Sequence, residues 1–593
     1  MSENLKLIGG EFLVKEIAPK DVFSLEDLSE EQMMIKDMCR DFINAEINPA
    51  LNDLDNHKEG LLRQKLDKAG EYGLLGAGLP EEYGGMDLDF ISTMLVADNL
   101  GAGHSFSVAF SAHTGIGTLP LLYYGNKEQK DKYLPLLATG EYTAAYCLTE
   151  PDAGSDANAG RTKAVLSEDG KHYIINGQKM WITNGGIADL LTVFAKIDND
   201  RILSAFLIEA NSEGITLNPE ENKMGIKGSS TRQIFFNDVK VPVENLLGKR
   251  GEGFRIALNI LHVGRVKLGA SVIGGARVAL NNSVNYSNER KQFGKHISSF
   301  GAIQHKLAQQ AINLYGIESA VYRASGDINK LAEENITKGM EKASAEIDAI
   351  SKYAIEAAIL KVFGSEALDF IVDEAVQIYG GMGFSAESPV DRSYRDSRIN
   401  RIFEGTNEIN RMVIIDTLLK FIKRGDYDIF GIGNNIINNI NNITIEKGND
   451  DFFNKNIAQI KNLKNASILT LTSVHNELNR KLGFEQEIMM SISDMIINIY
   501  VAESMLLRAK KIEELKGKEF AEPYKKMTDV FIYEASKTIR NKAFDAINSF
   551  ANDNKFNDLL NAITKLVKIP QTNIKEYRRD IAKRLIEENK YCF

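Results

Sequence analysis

The chain has 593 residues, and 71 Lys plus Arg against 81 Asp plus Glu leave a formal charge of −10, which argues against a nucleic-acid binder with its basic footprint. With 44% hydrophobic and 26% charged residues it belongs to the globular class, and at roughly 150 residues per domain the length predicts about three or four domains. Only 11 prolines occur where ~5% usage would give roughly 30, so helix breakers are scarce and a mainly helical fold is expected.

Three cysteines, Cys39, Cys147 and Cys592, are odd in number and far apart, as in a reducing compartment without disulfides. The eight His residues form no H-x-x-x-H and no C-x-x-C occurs, so no metal site is expected. Met1 to Lys20 mixes Glu3, Glu11 and Glu16 with lysines and lacks Arg, unlike a signal or transit peptide, which predicts a cytoplasmic protein. Asn99 to Asn126 carries no charged residue, but Gly101, Gly103, Gly115, Gly117 and Pro120 divide it into buried helices and turns rather than a membrane span.

In chain order, Met33, Met34, Cys39, Phe42 and Ile43 repeat at helical spacing, and a helical domain is expected over 1–141. From Tyr142 to Gly251, short runs such as Tyr173-Ile174-Ile175 and Ile234-Phe235-Phe236 alternate with Gly, Asn and Asp turns. They predict a central β domain with hairpin connections over 142–253. A helical period returns at Phe254 and continues to a Gly425 stop, giving a third domain over 254–424. The Asn- and Ile-rich stretch Asn434 to Asn442 reads as a linker with helical ends. Beyond it Phe484, Ile488, Met489, Ile492, Met495 and Ile499 predict a further helical bundle within 425–593.

Three segments depart from core patterning. Tyr146-Cys147-Leu148-Thr149-Glu150-Pro151-Asp152-Ala153-Gly154-Ser155-Asp156 leaves a strand for a loop of hydroxyls and carboxylates, able to bind a polar heterocycle or phosphate; by composition it also reads as an ordinary turn. Lys179-Met180-Trp181-Ile182-Thr183-Asn184-Gly185-Gly186 holds the only Trp, which either offers an aromatic face to a planar ring or fills the core beside a hairpin. The third runs from Gln377 to Glu408. Its Gly381-x-Gly383-x-x-Ala386 matches a dinucleotide fingerprint formally, yet a helical pattern precedes it where that fingerprint needs a strand. Within it, Glu404 stands between Phe403 and Gly405 before an apolar helix. In a dry cavity its pKa would rise into the range of a general base; on a surface it would simply face a helix dipole.

Together these segments resemble the acyl-CoA dehydrogenase family of flavoproteins, whose two signature stretches are matched by Cys147 to Ala159 and Gln377 to Asp396. The resemblance covers Met1 to about Arg424 in order, including Lys132-Tyr133-Leu134-Pro135, Lys223-Met224-Gly225-Ile226-Lys227 and Arg290-Lys291-Gln292-Phe293-Gly294, and the added helical region is similar to the very-long-chain branch. It implies a helical, β-barrel-like, helical architecture enclosing FAD and an acyl-CoA thioester, plus the C-terminal bundle. Glu404 takes the catalytic-base position and removes the α-proton, the β-hydride passes to flavin N5, and a trans-2-enoyl-CoA results. The Glu404 N–H and a flavin ribityl hydroxyl would polarise the thioester carbonyl.

The same resemblance places Tyr146, Leu148 and Thr149 at the flavin's polar edge, Trp181, Ile182 and Thr183 at its face and N5 side, and Ser155 at the phosphates and acyl-CoA. Arg290, Gln292, Phe293, Gln377, Gly380 and Gly381 match positions reaching the FAD of a neighbouring subunit, which implies at least a homodimer. Thr406 and Glu408 match adenine-side or pyrophosphate-side contacts. Gly264, Arg265 and Gly405 match the substrate side. Some relatives carry the base at the position of Gly264, which here has no carboxylate and would leave space for an acyl tail. Electron-transferring flavoprotein is the implied acceptor. An acyl-CoA oxidase using O2, or a flavin-bearing scaffold acting through the bundle, are the competing readings. Lys575, Arg578, Arg579, Lys583 and Arg584 form either a membrane-facing cluster or a solvated helix face among interspersed acids.

Overall fold

A computed structural model describes residues 8–550 and 553–593. The first part of the Met1 to Lys20 stretch therefore lies outside the described residues. The fold is mainly helical around one central sheet, with an additional helical domain at the C-terminal end.

The N-terminal helical part begins with α1 (Glu30–Phe42), where Ser29 caps the helix by accepting from Gln32 N at 3.2 Å and Gln32 reaches back to the Ser29 N–H. It continues through the almost wholly buried α2 (Phe90–Leu100) and α3 (Ser105–Ser111). The uncharged stretch 99–126 is short helices around a wide π-turn, Ala112–Gly117.

Eight strands follow: β1 (Ala144–Cys147), β2 (Lys163–Leu166), β3 (His172–Thr183), β4 (Leu190–Ile197), β5 (Ser204–Glu209), β6 (Ile215–Leu217), β7 (Thr231–Pro242) and β8 (Leu246–Leu247). They pair in the order β6-β7-β3-β2-β4-β5-β8, with β1 also on β4. Hairpin-type pairing holds for β2–β3, β4–β5 and β6–β7, but β1 and β2 both run parallel to β4, which hairpin connections alone do not produce. The reason is burial: β4 is covered along all of its length except Lys196, and a strand buried on both faces accepts parallel neighbours. Residues 148–162 leave the sheet between β1 and β2.

The helical part after the sheet is built on α4 (Gly253–Glu289), α5 (Gly301–Thr337), α6 (Ala354–Tyr379) and α7 (Asn407–Arg424), with α6 packed along both α4 and α7. Gly425 ends α7 at φ 83°, its N–H on the Ile422 carbonyl at 3.0 Å, as the sequence predicts. The stretch Asn434 to Asn442, expected as a linker with helical ends, is the end of a helix, Ile429–Asn438, followed by a 3-10 turn, Ile440–Asn442; the helix is seated by buried Ile429 and by Gly433 on Thr472, where a Cβ would meet the hydroxyl at 1.9 Å.

The last bundle comprises α8 (Phe452–Leu478), α9 (Gln486–Lys516), α10 (Lys518–Asn548) and α11 (Ile574–Glu588), with α9 and α11 against α5. Buried ion pairs join it to the rest, Arg323 to Glu503 at 3.0 Å and Arg508 to Glu26 at 2.9 Å and Glu318 at 3.3 Å, while Lys464 holds Glu503 from within the bundle. The basic cluster of α11 pairs with groups of the same molecule, although Lys575, Arg579 and Lys583 remain exposed. Arg578 is buried against Glu534 (3.0 Å) and Gln309, Arg584 covers the Phe593 ring, and Arg579, Lys575 and Lys583 pair with neighbouring glutamates. Helices α4 and α9 are long and apolar enough to cross a membrane, but 61% and 83% of those windows are buried inside the protein.

Candidate active site

Glu404 lies in the turn between a 3-10 segment, Arg398–Arg401, and α7. Glu404 and Gly405 are both left-handed, at φ 59° and 80°, a conformation costing about 1–3 kcal/mol at a non-glycine residue. What holds it is main-chain bonding. Asn410 Nδ2 donates to the carbonyls of Glu404 (3.3 Å), Gly405 (2.8 Å) and Thr406 (3.0 Å), Arg265 Nε donates to the Glu404 carbonyl at 3.2 Å, and Thr406 caps α7 by accepting from Ile409 N.

The carboxyl itself is left alone. Glu404 Oε2 is shielded from solvent without a hydrogen-bond partner, and burial pushes the group from 4.5 up to about 7, against the opposing pull of Arg265 and Lys361. Among the described residues the Glu404 N–H also has no acceptor. The carboxyl faces a cavity walled by Ser107, Ser111, Gly115 and Ile116 on one side, Gly264, Lys267, Leu268 and Ser271 of α4 on another, and Thr183, Asn400 and Phe403. A Cβ at Gly264 would lie 2.6 Å from Glu404 Oε2, so the missing side chain makes room for the carboxyl at the cavity wall.

Tyr146, Leu148 and Ile182 are buried around this region; Tyr146 Oη has no partner, and its phenol is held far above its usual pKa by burial and by Glu404. The Leu148 carbonyl accepts from Lys179 Nζ at 3.1 Å, and the Thr149 carbonyl accepts from Met180 N at 2.9 Å, tying the 148–156 loop to β3. Trp181 is not core: it is 54% exposed at φ 62°, where the β3–β7 register shifts between Lys179 and Ile182. That bulge turns the indole outward beside Thr183, which lines the Glu404 cavity. Ser155 is exposed on its loop, and Glu408 is exposed in the first turn of α7.

Arg290, Gln292, Phe293, Gln377, Gly380 and Gly381 do not line this cavity. They are exposed, on a small hairpin (Lys291–Gln292 with Lys295–His296) and at the end of α6. The two segments meet through Tyr286 stacked on Tyr379 at 4.0 Å. Phe293 and Phe384 are 91% and 93% exposed, an unusual cost for two phenylalanines, and Phe293 meets only the edge of Phe300 at 6.1 Å among the aromatic rings of the described residues.

Three domain families match consecutive parts of the chain: acyl-CoA dehydrogenase, N-terminal domain (29–141), middle domain (145–239) and C-terminal domain (251–419); a second C-terminal domain family matches 462–565. The chain belongs to the acyl-CoA dehydrogenase family. It is 40% identical to the "Probable acyl-CoA dehydrogenase" of Bacillus subtilis (strain 168) over 587 residues, 98% of each chain. It is 36% identical to the human very long-chain specific acyl-CoA dehydrogenase, mitochondrial, over 556 residues, 86% of this chain and 80% of that one. The crystal structure of an acyl-CoA dehydrogenase complexed with FAD from Bacillus anthracis superimposes with a TM-score of 0.96 at 41% identity, covering 99% of this chain and 100% of the other. Butyryl-CoA dehydrogenase from Megasphaera elsdenii covers 99% of its own chain but 66% of this one, at TM-score 0.59 and 35% identity.

Acyl-CoA dehydrogenases are FAD flavoproteins, and the residues present fit that group: an outward-facing indole on a bulge, the unpartnered Tyr146 hydroxyl and the exposed 148–156 backbone lie on the sheet side of Glu404. Sequence reasoning missed several supports. Lys361 on α6 is fully buried, donates to Asn407 Oδ1 at 2.6 Å, and is pulled down to about 7 by burial despite Glu404. Asn407 also donates to Ser365 (3.1 Å) and Glu366 (3.0 Å), and Glu366 pairs with Arg411, which reaches Asp494 of the terminal bundle at 2.7 Å. Glu150 is the counter-ion of buried Lys179 at 2.6 Å. No local pattern marks these residues, since each partner is distant in sequence.

Proposed function

We propose that the chain catalyses α,β-dehydrogenation of saturated medium- to very-long-chain acyl-CoA to trans-2-enoyl-CoA, with Glu404 as the base for the α-proton. The observation that carries this is the unpartnered Glu404 carboxyl at the wall of a cavity, its affinity for protons raised to about 7. A carboxylate of ordinary pKa is a poor base for a carbon acid; one near 7 is ionised in half the molecules at neutral pH and gains more on protonation. The free Glu404 N–H is available to the thioester oxygen, where it would stabilise the enolate charge that makes α-proton removal feasible. Arg265 fixes the Glu404 carbonyl and so helps to hold the left-handed turn that presents that N–H. FAD, when bound, supplies the two-electron acceptor for the hydride leaving Cβ.

Tyr146, Leu148, Thr149, Ser155, Trp181, Ile182 and Thr183, with Thr406 and Glu408, are assigned to FAD, and Gly264, Arg265 and Gly405 to the substrate side. The exposed Arg290, Gln292, Phe293, Gln377, Gly380 and Gly381 support a homodimer in which they reach the partner's FAD, since burial there would remove the cost of exposing Phe293. Electron-transferring flavoprotein is the proposed acceptor. The test is anaerobic titration of the FAD-loaded protein with acyl-CoAs of graded length, following flavin bleaching. Wild type should bleach, and Glu404→Gln should lose roughly 10²-fold or more in rate with FAD content unchanged. Equal bleaching in both proteins removes Glu404 from the reaction.

A further inference from the structure

Lys267 takes no part in the chemistry above, yet it lines the Glu404 cavity. On α4, Gly264, Lys267 and Ser271 are spaced i, i+3 and i+7 and line the Glu404 cavity together, so Lys267 lies about one turn, ~4.5 Å along the axis, from the glycine that accommodates the base. Its side chain lies over Gly115, where a Cβ would be 3.6 Å from Cδ and 3.8 Å from Nζ, and Nζ donates to the Thr114 carbonyl at 3.1 Å. An ammonium has three donors, and this bond uses one. No carboxylate among the described residues offsets the cost of its burial, which lowers the amine to about 8.

Beyond Lys267 a second cavity opens, walled by Leu74, Leu79, Phe90, Val96, Phe110 and Val263. Lys267 and Ser111 are the two residues common to both cavities, so the amine stands at the passage between them. The second cavity also contains Glu346, which accepts from Tyr123 Oη at 3.3 Å, so the anion's partner is Lys267 at the passage and not the cavity beyond it. An aliphatic chain threading the passage would strip water from a cation and give nothing in return, whereas an anion at that depth would satisfy the two free donors.

We propose that Lys267 selects acyl-CoA thioesters whose chain carries a second carboxylate, pairing its ammonium with that carboxylate at the passage between the two cavities. This rests on the dehydrogenase reading and adds a substrate class to it. Because the amine is a fixed point, preference for an ω-carboxyl over an ω-methyl end should peak at one chain length. The experiment uses FAD-loaded Glu404→Gln protein, which holds substrate with little turnover, and the same protein carrying Lys267→Met. Each is titrated calorimetrically with ω-carboxyl and ω-methyl acyl-CoAs of matched, graded length. The ratio of affinities is expected to peak at one length and to fall about tenfold there in the Lys267→Met protein, with wild-type kcat/KM ratios peaking at the same length. A ratio that is flat with length overturns the proposal without needing the double variant, and so does a peak that survives Lys267→Met. Bleaching of wild-type flavin by ω-methyl substrates with no ω-carboxyl preference rejects this inference alone; no bleaching by either series rejects the dehydrogenase reading and this inference with it.

Discussion

Two regions bury carboxylates and treat them in opposite ways. Where the terminal bundle meets the rest of the protein, burial alone would raise Glu26, but Arg508 at 2.9 Å outweighs it and the carboxyl falls below its ordinary value. At Glu404, burial wins: Arg265 is bonded to the main-chain carbonyl, Lys361 to Asn407, and the carboxyl rises to about 7. Cations lie near both; what differs is which atom they bond. A buried acid whose charge is neutralised directly serves the fold, and one whose backbone is held while its oxygens stay free is ready for a proton. Glu356 shows that burial without direct pairing is insufficient. It too rises to about 7 with Oε2 unpartnered, yet that oxygen is packed under Gly9, where a Cβ would lie 2.6 Å away, and its other oxygen accepts from Gly10 N. The cavity distinguishes Glu404.

The contrast can be broken from either side. The largest effect belongs to Glu404→Gln, described above, which should remove 10²–10⁴ in flavin-reduction rate while leaving the bundle interface intact. Conversely, Glu503→Gln should cost about 3–5 kcal/mol in a denaturant melt, by stranding Arg323 and Lys464, while the folded fraction keeps its reduction rate. A finding that Glu503→Gln slows reduction without loss of stability would erase the distinction between the regions.

A smaller effect concerns stability and pH. Glu404 ionises at 4.5 when unfolded and at about 7 when folded, so the folded state holds its proton more tightly and loses stability as pH rises from 4.5 through 7. The loss is on the order of 2–3 kcal/mol. Glu404→Gln should abolish it, making the variant relatively more stable at pH 8 than at pH 5 in paired melts; an unchanged pH dependence would place the carboxyl in water. Smallest is Lys361→Met. Removing a cation that lowers the Glu404 pKa should move the midpoint of the rate–pH curve upward and slow reduction at pH 7 severalfold, with little change at pH 9.

The order of helical and β regions and the Gly425 stop were legible in the sequence, because each is marked by neighbours in the chain, whereas the residues around Glu404 left a buried acid and a surface helix start both open and only the family resemblance singled it out. For Trp181 the residues alone left an outward ring and a core ring both open, since the choice depends on a register shift against β7 that only pairing creates. The extent of the helix Ile429–Asn438 was not legible, since its Asn-rich sequence has poor helix propensity and is held by packing on α8. Gly264 was read as vacant space, yet its neighbour is 140 positions away in the chain at Glu404. Lys361 and Lys267 are ordinary helical lysines until α6 and α4 are folded against their partners.

The most direct test is anaerobic stopped-flow reduction of the FAD-loaded wild type by a saturated acyl-CoA across pH 5.5 to 9. The bleaching rate should climb to a plateau with its midpoint near 7, the value burial gives Glu404. A rate already at its plateau at the bottom of that range, as an ordinary carboxylate would give, contradicts the account.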